Sequence, residues 1–447
     1  MKQLIIKGCV IIALAILNTG RAAAVDDGSS VMLDLGSKRI TSQSVIRVKV
    51  FPHERAYPPH GLDSIRDQIT IQSERPCSIY NASPDRPVAQ GAATSKESVI
   101  ALNAATMPQP VMISCPAGFK LERKGTGGAP NFSYEGRLYV RPVAGTSGAR
   151  ELEAINLINL RDYLRGVVPS EVYREWAMEA LKTQAVAART YAVYHLLYAR
   201  RYEASRLWDV DDTINYQAYT GTSLISERTD IAVRETDGQI LTYHGKVIQA
   251  YYHADSGGQT EEALAVWSQS VPFTVARREA GDMNLNKTMW ERKFTLGSLT
   301  QTLRAYGVLE GDRTVRNIVV PMVGRTPTGR VRSLAIIDQR GRYKLISVNA
   351  FKRAVTGLQS NLFAIERDSK PGHFIVKGLG NGHGVGMSQM GAAALAAQRA
   401  WTYKQILEYY YVRTTLCSLD GEKKSLPDCN EESEKYASDA TLRGSSS

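Results

Sequence analysis

The chain has 447 residues, 43% hydrophobic and 22% charged, with a formal net charge of +11. These values exclude a disordered chain and leave room for one large domain or two ordinary ones with real cores. The basic excess is modest for the length and no basic run interleaves with aromatics, so nucleic-acid binding does not follow from it; contact with anionic envelope polymers is compatible with it.

Residues 1–24 read as a secretory signal peptide. Lys2 and Lys7 precede an apolar run from Val10 to Leu17, and Ala22-Ala23-Ala24 supplies small residues for cleavage. The run is short for a bilayer span, and no other stretch approaches the roughly 20 apolar residues a transmembrane helix needs. The mature chain is therefore expected to start near Val25 and to be exported, in the periplasm, envelope or outside; a retained anchor is the alternative. Cys9 falls in the signal. Cys77, Cys115, Cys417 and Cys429 remain, an even number that suits disulfides in an exported protein. Pairing within each region gives Cys77–Cys115 and Cys417–Cys429, with reduced buried thiols as the alternative.

Short strand-like runs follow at 45–50, 68–72, 99–102, 111–115 and 137–143, punctuated by Pro, Gly, Asn and Asp. They predict a small β-domain or a sheet that joins the core. The Gly125–Pro130 stretch reads as a loop without a phosphate-binding motif. From about 150 an apolar run enters Arg161-Asp162-Tyr163, and Pro169-Ser170-Glu171 reads as a turn. A helix is expected over 179–200, with Leu181, Ala185, Ala188, Ala192 and Leu196 on one face and Lys182, Gln184 and Arg189 on the other. Beyond it the pattern predicts a strand pair at 239–243 and 247–252, a helix at 290–306, a hairpin of 330–338 with 342–348, and helices at 392–400 and 403–411. Residues from about 430 to 447 are polar and serine-rich and read as a disordered tail.

Three polar clusters carry chemistry. One surrounds Glu171. The second is YYHADSGGQTEE, 251–262. The third is GLGNGHGVGMSQMGA, 378–392, whose alternating glycines exclude an ordinary helix or strand. It fails the dinucleotide fingerprint, so no nucleotide cofactor follows. Ser256, Ser388, His253 and His383 suggest a triad on paper, but no serine sits in a G-x-S-x-G elbow. No H-E-x-x-H or cysteine pair accompanies the histidines, which argues against zinc. Taken alone, Glu171 fits a solvated carboxylate at the start of a helix.

The blocks together resemble the SpoIID/LytB family of stage II sporulation protein D and amidase-enhancer proteins. The resemblance covers about 136–416, some three-fifths of the chain, and rests on GVVPSE (166–171), EALKTQAVAARTYA (179–192), YTG (219–221), YHADSGGQTE (252–261) with Val266-Trp267, TGRVRSLAI (328–336), LQSNLFAI (358–365), GHGVGMSQMGA (382–392) and ILEYYY (406–411). Leu379 and Asn381 stand where many members carry an arginine and an aromatic, Ala254-Asp255 replaces a common Ser/Thr pair, and the cysteines by which some members bind zinc are missing from that turn.

The resemblance implies an α+β fold, a mixed core with a groove, preceded by a small β-rich region. The domains expected are a signal (1–24), the β-rich region (25–135), the core (136–416) and a disulfide-stapled tail (417–447). It implies a peptidoglycan lytic transglycosylase that needs no cofactor and acts on glycan strands, in some members peptide-stripped ones, with Glu171 as the acid. Lys182, Gln184, Arg189 and Tyr191 become candidate sugar contacts. His253, Ser256, His383, Ser388 and Gln389 are expected either to line the groove or to brace the glycine loop. Some members of the family are instead enhancers of an N-acetylmuramoyl-L-alanine amidase, which makes such an amidase a candidate partner.

Overall fold

A computed structural model describes residues 30–32, 39–50, 67–123, 132–145, 148–213, 215–279, 288–421, 426–431 and 433. The signal segment, residues 125–130 and residues 434–447 lie outside the described residues; Asn430 and Ser433, at the start of the tail expected to be disordered, are buried, with the Asn430 amide donating to the Leu419 carbonyl at 3.4 Å. The fold is α+β, as expected, with eight α-helices among the described residues. None of these helices is long and apolar enough to cross a membrane.

The β-rich region is a sheet that joins the core. Nine strands share it, running Val210–Asp211, Val45–Lys49, Arg150–Asn159, Arg137–Ala144, Val111–Ser114, Gln68–Ala82, Phe119–Arg123 and Phe132–Tyr134, with Ala89–Asn103 paired to Gln68–Ala82. Inward residues Ile46, Val48, Ile69, Ile71, Leu138 and Val140 meet the helices in the main core; Arg47 and Thr70 between them are half-buried, and Tyr139, between Leu138 and Val140, is buried in a small cluster with Met112, Ile155 and Leu207. Cys77–Cys115 ties two neighbouring stretches of this sheet, and Cys417–Cys429 anchors the strand Thr415–Ser418; both pairings are those read from the spacing.

Helices α1 (Leu160–Glu171) and α2 (Met178–Tyr202) lie on this sheet. Asn159 caps α1 by accepting from the Asp162 N–H at 2.9 Å. The alanines of α2 keep it thin enough to be enclosed, and α2 also enters a second core with Ile248, Phe273, Leu395, Ile406 and Tyr410. That core is roofed by a four-stranded sheet ordered Ser30–Met32, Lys246–Ile248, Gln239–Tyr243, Thr415–Ser418, and by α7 (Gln389–Gln398) and α8 (Tyr403–Tyr410). Helix α3 (Glu227–Glu235) flanks α1 and α2, and α4 (Ala263–Trp267) is a single turn.

Residues between 288 and 379 build a core of their own around Leu299, Leu334, Phe351 and Val376. Two three-stranded sheets and helices α5 (Leu296–Ala305) and α6 (Val348–Ala354) enclose it. The expected 290–306 helix is here split. Met289–Thr295 is a strand paired with His373–Leu379, and the helix begins at Leu296, behind a Thr295/Ser298 capping box. The strand's partner lies some eighty residues on, which no local periodicity reveals. The expected strand 247–252 is likewise broken: it ends at Ile248 and resumes at Tyr252–His253, paired in parallel with Met387–Ser388. The 330–348 hairpin and the two late helices are present.

Gly166 occupies a mid-helix position in α1 because α1 touches the 219–221 segment there: a Cβ would overlap the Gly221 carbonyl oxygen and the Tyr219 ring. Gly166→Ala gains about 1 kcal/mol of helix propensity but meets an overpacking penalty of roughly 1–3 kcal/mol. Denaturant unfolding of this variant is expected to show a net loss of up to about 2 kcal/mol; a variant more stable than the parent would contradict the tight contact.

Candidate active site

The groove starts at the last turn of α1. Pro169 lies inside the helix, and the Val172 N–H closes it on the Val168 carbonyl at 3.1 Å. The Ser170 hydroxyl lies 2.8 Å both from the Gly166 carbonyl, to which it donates, and from Thr220 Oγ1, fixing this turn to the 217–221 segment. Glu171 therefore ends α1; it does not start the next helix, which begins seven residues later. The expectation of a helix-start carboxylate is corrected, and with it the sign of the helix field. The C-terminal end of a helix opposes negative charge, whereas the N-terminal end favours it.

The half-buried Glu171 side chain is held on both oxygens. Oε1 accepts from the Ala218 N–H at 2.7 Å, and Oε2 lies 3.4 Å from the Gln389 amide nitrogen. That nitrogen is also 3.4 Å from Gln184 Oε1. Gln217 extends the network, accepting from the Tyr163 hydroxyl at 3.2 Å and donating to the Ala188 carbonyl at 3.1 Å and the Tyr252 hydroxyl at 3.0 Å. Burial drives the Tyr163 and Tyr252 phenols far above their ordinary value, with the nearby Glu171 charge acting in the same direction. Both stay neutral.

At about 100° per residue, Gln184, Ala188 and Tyr191 share the face of α2 that looks toward this network, and the Tyr191 ring meets that of Tyr252 at 6.1 Å. Lys182 and Arg189 lie on the far side, a correction to the single polar face expected. Lys182 pairs with Glu179 at 3.0 Å and Glu235 at 2.8 Å. Arg189 is fully enclosed, donating to the Val233 and Gln239 carbonyls at 3.1 Å each, and burial lowers its guanidinium to about 10. It fastens α2 to α3 and the strand beyond, out of reach of a substrate.

The opposite wall is the glycine loop. Gly380, Gly382, Gly384 and Gly386 all have φ between +71° and +108°, which side-chain-bearing residues rarely adopt. The zigzag lets the backbone exchange hydrogen bonds with the second polar cluster: Asp255 with Asn381 in both directions, and the Glu261 N–H with the Gly384 carbonyl. His253 Nδ1 lies 3.1 Å from the Val385 carbonyl, and the Val385 N–H donates to His383 Nδ1 at 3.0 Å. Ser256 Oγ accepts from the Gly258 N–H, and Ser388 Oγ caps α7 by accepting from the Gly391 N–H, both at 3.1 Å. His253 and His383 thus bond to the backbone of the glycine loop, whereas Ser256 bonds within its own turn and Ser388 caps α7. Gln389 faces Glu171.

Arg330 went unnoticed as a site residue in the sequence. It projects from the separate 288–379 core, is almost fully buried, and donates to the Ser256 carbonyl at 2.6 Å and the Gln259 carbonyl at 2.9 Å, directly under Gly384. Burial lowers its guanidinium. Ala218 was equally invisible, because a backbone N–H leaves no mark in residue type. Among the described residues, no group of three or more His, Cys, Asp or Glu side chains converges as metal ligands do.

The profile of the stage II sporulation protein family matches residues 148–243, the stretch that carries α1, α2 and the 217–221 segment, and that of a domain of unknown function matches 274–386, the separate core with the glycine loop. Stage II sporulation protein D of Bacillus subtilis is 33% identical over 280 residues, 60% of this chain and 77% of that protein. The chain belongs to the stage II sporulation protein D family. The amidase enhancer of Bacillus subtilis is 30% identical over 297 residues, and an uncharacterized protein of Brachyspira hyodysenteriae 34% over 259. The chain covers 40% of the amidase enhancer's length and 66% of the Brachyspira protein's.

One buried histidine, His253, and two half-buried ones, His195 and His383, tie the stability of this family member to pH. Burial holds His253 well below its ordinary value, aided by the neighbouring His383 and Arg330; it holds His383 at about 4 and His195 at about 3. A histidine whose folded value is depressed adds stability that is complete above about pH 6.5 and is lost as the pH falls toward the folded value. Thermal unfolding is expected to move to lower temperature between pH 6.5 and 4. His383→Asn should flatten that dependence by up to about 1.4 kcal/mol per pH unit; an unchanged slope in the variant would refute the assignment.

Proposed function

We propose that this protein is an exported peptidoglycan-remodelling enzyme, a lytic transglycosylase that cuts the MurNAc–GlcNAc strand with Glu171 as acid and then base. The seating of Glu171 carries the reading. The helix end opposes its negative charge, which favours a proton available for donation. The Ala218 N–H and the Gln389 amide favour the ionised form left behind. A group that must alternate between the two states is served by influences that act in opposite directions.

In the reaction, the Glu171 carboxylic acid gives its proton to the glycosidic oxygen as the bond to the MurNAc anomeric carbon breaks. The C6 hydroxyl of the same MurNAc attacks that carbon, and its proton passes to the Glu171 carboxylate. The products are a 1,6-anhydro-MurNAc end and a GlcNAc with a free 4-hydroxyl, and the acid is regenerated. Water does not enter, so the second carboxylate of a hydrolase is not required. Gln389 and Gln184 orient the carboxyl group, and Tyr191 and Tyr252 offer apolar ring surface to the sugar.

A second reading is supported by the similarity to the amidase enhancer. In it the groove binds glycan without cutting it, and the protein activates or guides a cell-wall amidase.

Mass spectrometry of peptide-free glycan after incubation separates the two. The enzyme reading expects 1,6-anhydro-MurNAc ends from wild type and a loss of at least about a hundredfold in Glu171→Gln, the usual scale for removing a general acid. Reducing ends would mean hydrolysis. Binding without products, together with faster turnover by an added amidase, would favour the enhancer.

A further inference from the structure

The face of α2 that carries Gln184 and Tyr191 continues to His195, about 16 Å further along the helix axis at roughly 1.5 Å per residue. A cavity of about 320 Å³ opens there. Its volume sits at the lower end of ligand pockets, about 300–1,000 Å³, and suits one sugar unit better than two. The cavity is joined to Glu171 by the 216–218 segment: Tyr216 stands at the cavity with its ring 4.9 Å from that of His195, and Ala218 holds Glu171.

The lining selects a neutral ligand with both apolar and hydrogen-bonding faces. Tyr198, half-buried and stacked on the buried Tyr194 at 5.9 Å, offers ring surface. Gln249 lies with its amide nitrogen 3.2 Å from His195 Nε2 and its oxygen 2.5 Å from the Tyr251 hydroxyl, which donates to it. That arrangement leaves the proton of the neutral imidazole on Nδ1. The one guanidinium in the lining is already engaged. Arg206 pairs with Glu203 at 2.5 Å and donates to the Tyr216 hydroxyl and to the Trp208 and Asp209 carbonyls. A carboxylate or phosphate therefore finds no open cation on Arg206, whereas the ring faces and amide groups match the C–H faces, hydroxyls and acetamido group of an N-acetylhexosamine.

We infer that this cavity is a distal subsite for an N-acetylhexosamine unit of the same glycan strand whose scissile bond lies at Glu171. The inference rests on the glycan-groove reading above and deepens it: the protein recognises a run of several sugars, holding the strand on either side of the 216–218 segment.

The test measures binding of peptide-free glycan oligomers of increasing length to the full-length Glu171→Gln protein by calorimetry. Affinity is expected to rise by about tenfold, close to 1.4 kcal/mol, once the oligomer is long enough to reach the cavity. Tyr198→Leu and Gln249→Met, each added to that background, should bring the ratio of long to short affinities back toward one. Their thermal unfolding is checked against the parent, and either variant suffices if the other does not fold. No step with length, a step that survives both substitutions, or a step seen only with oligomers bearing stem peptides would overturn the subsite; the last would assign the cavity to peptide. Products of wild type on the same oligomers are read separately. A step without anhydro products keeps the subsite and defeats the transglycosylase reading, and products without a step do the reverse.

Discussion

Helix α2 has almost no face left for water, and much of the structure follows from that. Its alanines admit the nine-stranded sheet and α1 on one side and the smaller sheet, α7 and α8 on the other. A helix enclosed in this way must place each of its polar groups on a protein partner or into a groove. Thr183 and Thr190 donate back to the carbonyls four residues earlier, and Thr190 also receives the Leu241 N–H. Arg189 is spent on carbonyls behind the helix. Gln184 is left facing Glu171 and Gln389, and the groove exists where the enclosure of α2 stops.

The parts of this arrangement that were legible in the sequence are those written in local pattern. The two disulfides follow from spacing, the 330–348 hairpin from alternation, and α2 itself from its periodicity. Glu171 was legible as a residue but not as a position. Proline near a helix boundary is read most readily as a start signal, yet Pro169 here sits in a final turn whose end is secured by Ser170. The role of Arg189 was misread for a related reason. On a helix taken to have one wet face, an arginine reads as a surface group, and only the second core shows that the helix has no such face. Ala218, Arg330 and the strand at 289–295 depend on partners 47 to 90 residues away, which periodicity cannot carry.

The separate core at 288–379 is not simply appended to the groove. Arg330 threads its guanidinium beneath Gly384 and takes the carbonyls of Ser256 and Gln259, so the loop that presents Gln389 is shaped partly by a side chain from another core. Trp290, whose indole N–H donates to the Gly380 carbonyl at 3.0 Å, pins the other end of the loop. The zigzag of left-handed glycines lets these two clamps and the Tyr252–His253 strand approach the same short backbone from different sides.

The four-stranded sheet has a consequence for the order in which the molecule is completed. Its strands come from near residue 30, from 239–248 and from 415–418, and Arg189 grips the carbonyl of Gln239 within it. Contacts so distant along the chain form late. α7, which begins with Gln389, packs on α2 from more than 180 residues further along the chain. A chain still being synthesised or threaded thus carries Glu171 without the wall opposite it. The site is complete only once Gln389, 218 residues beyond Glu171 in the chain, has packed against it.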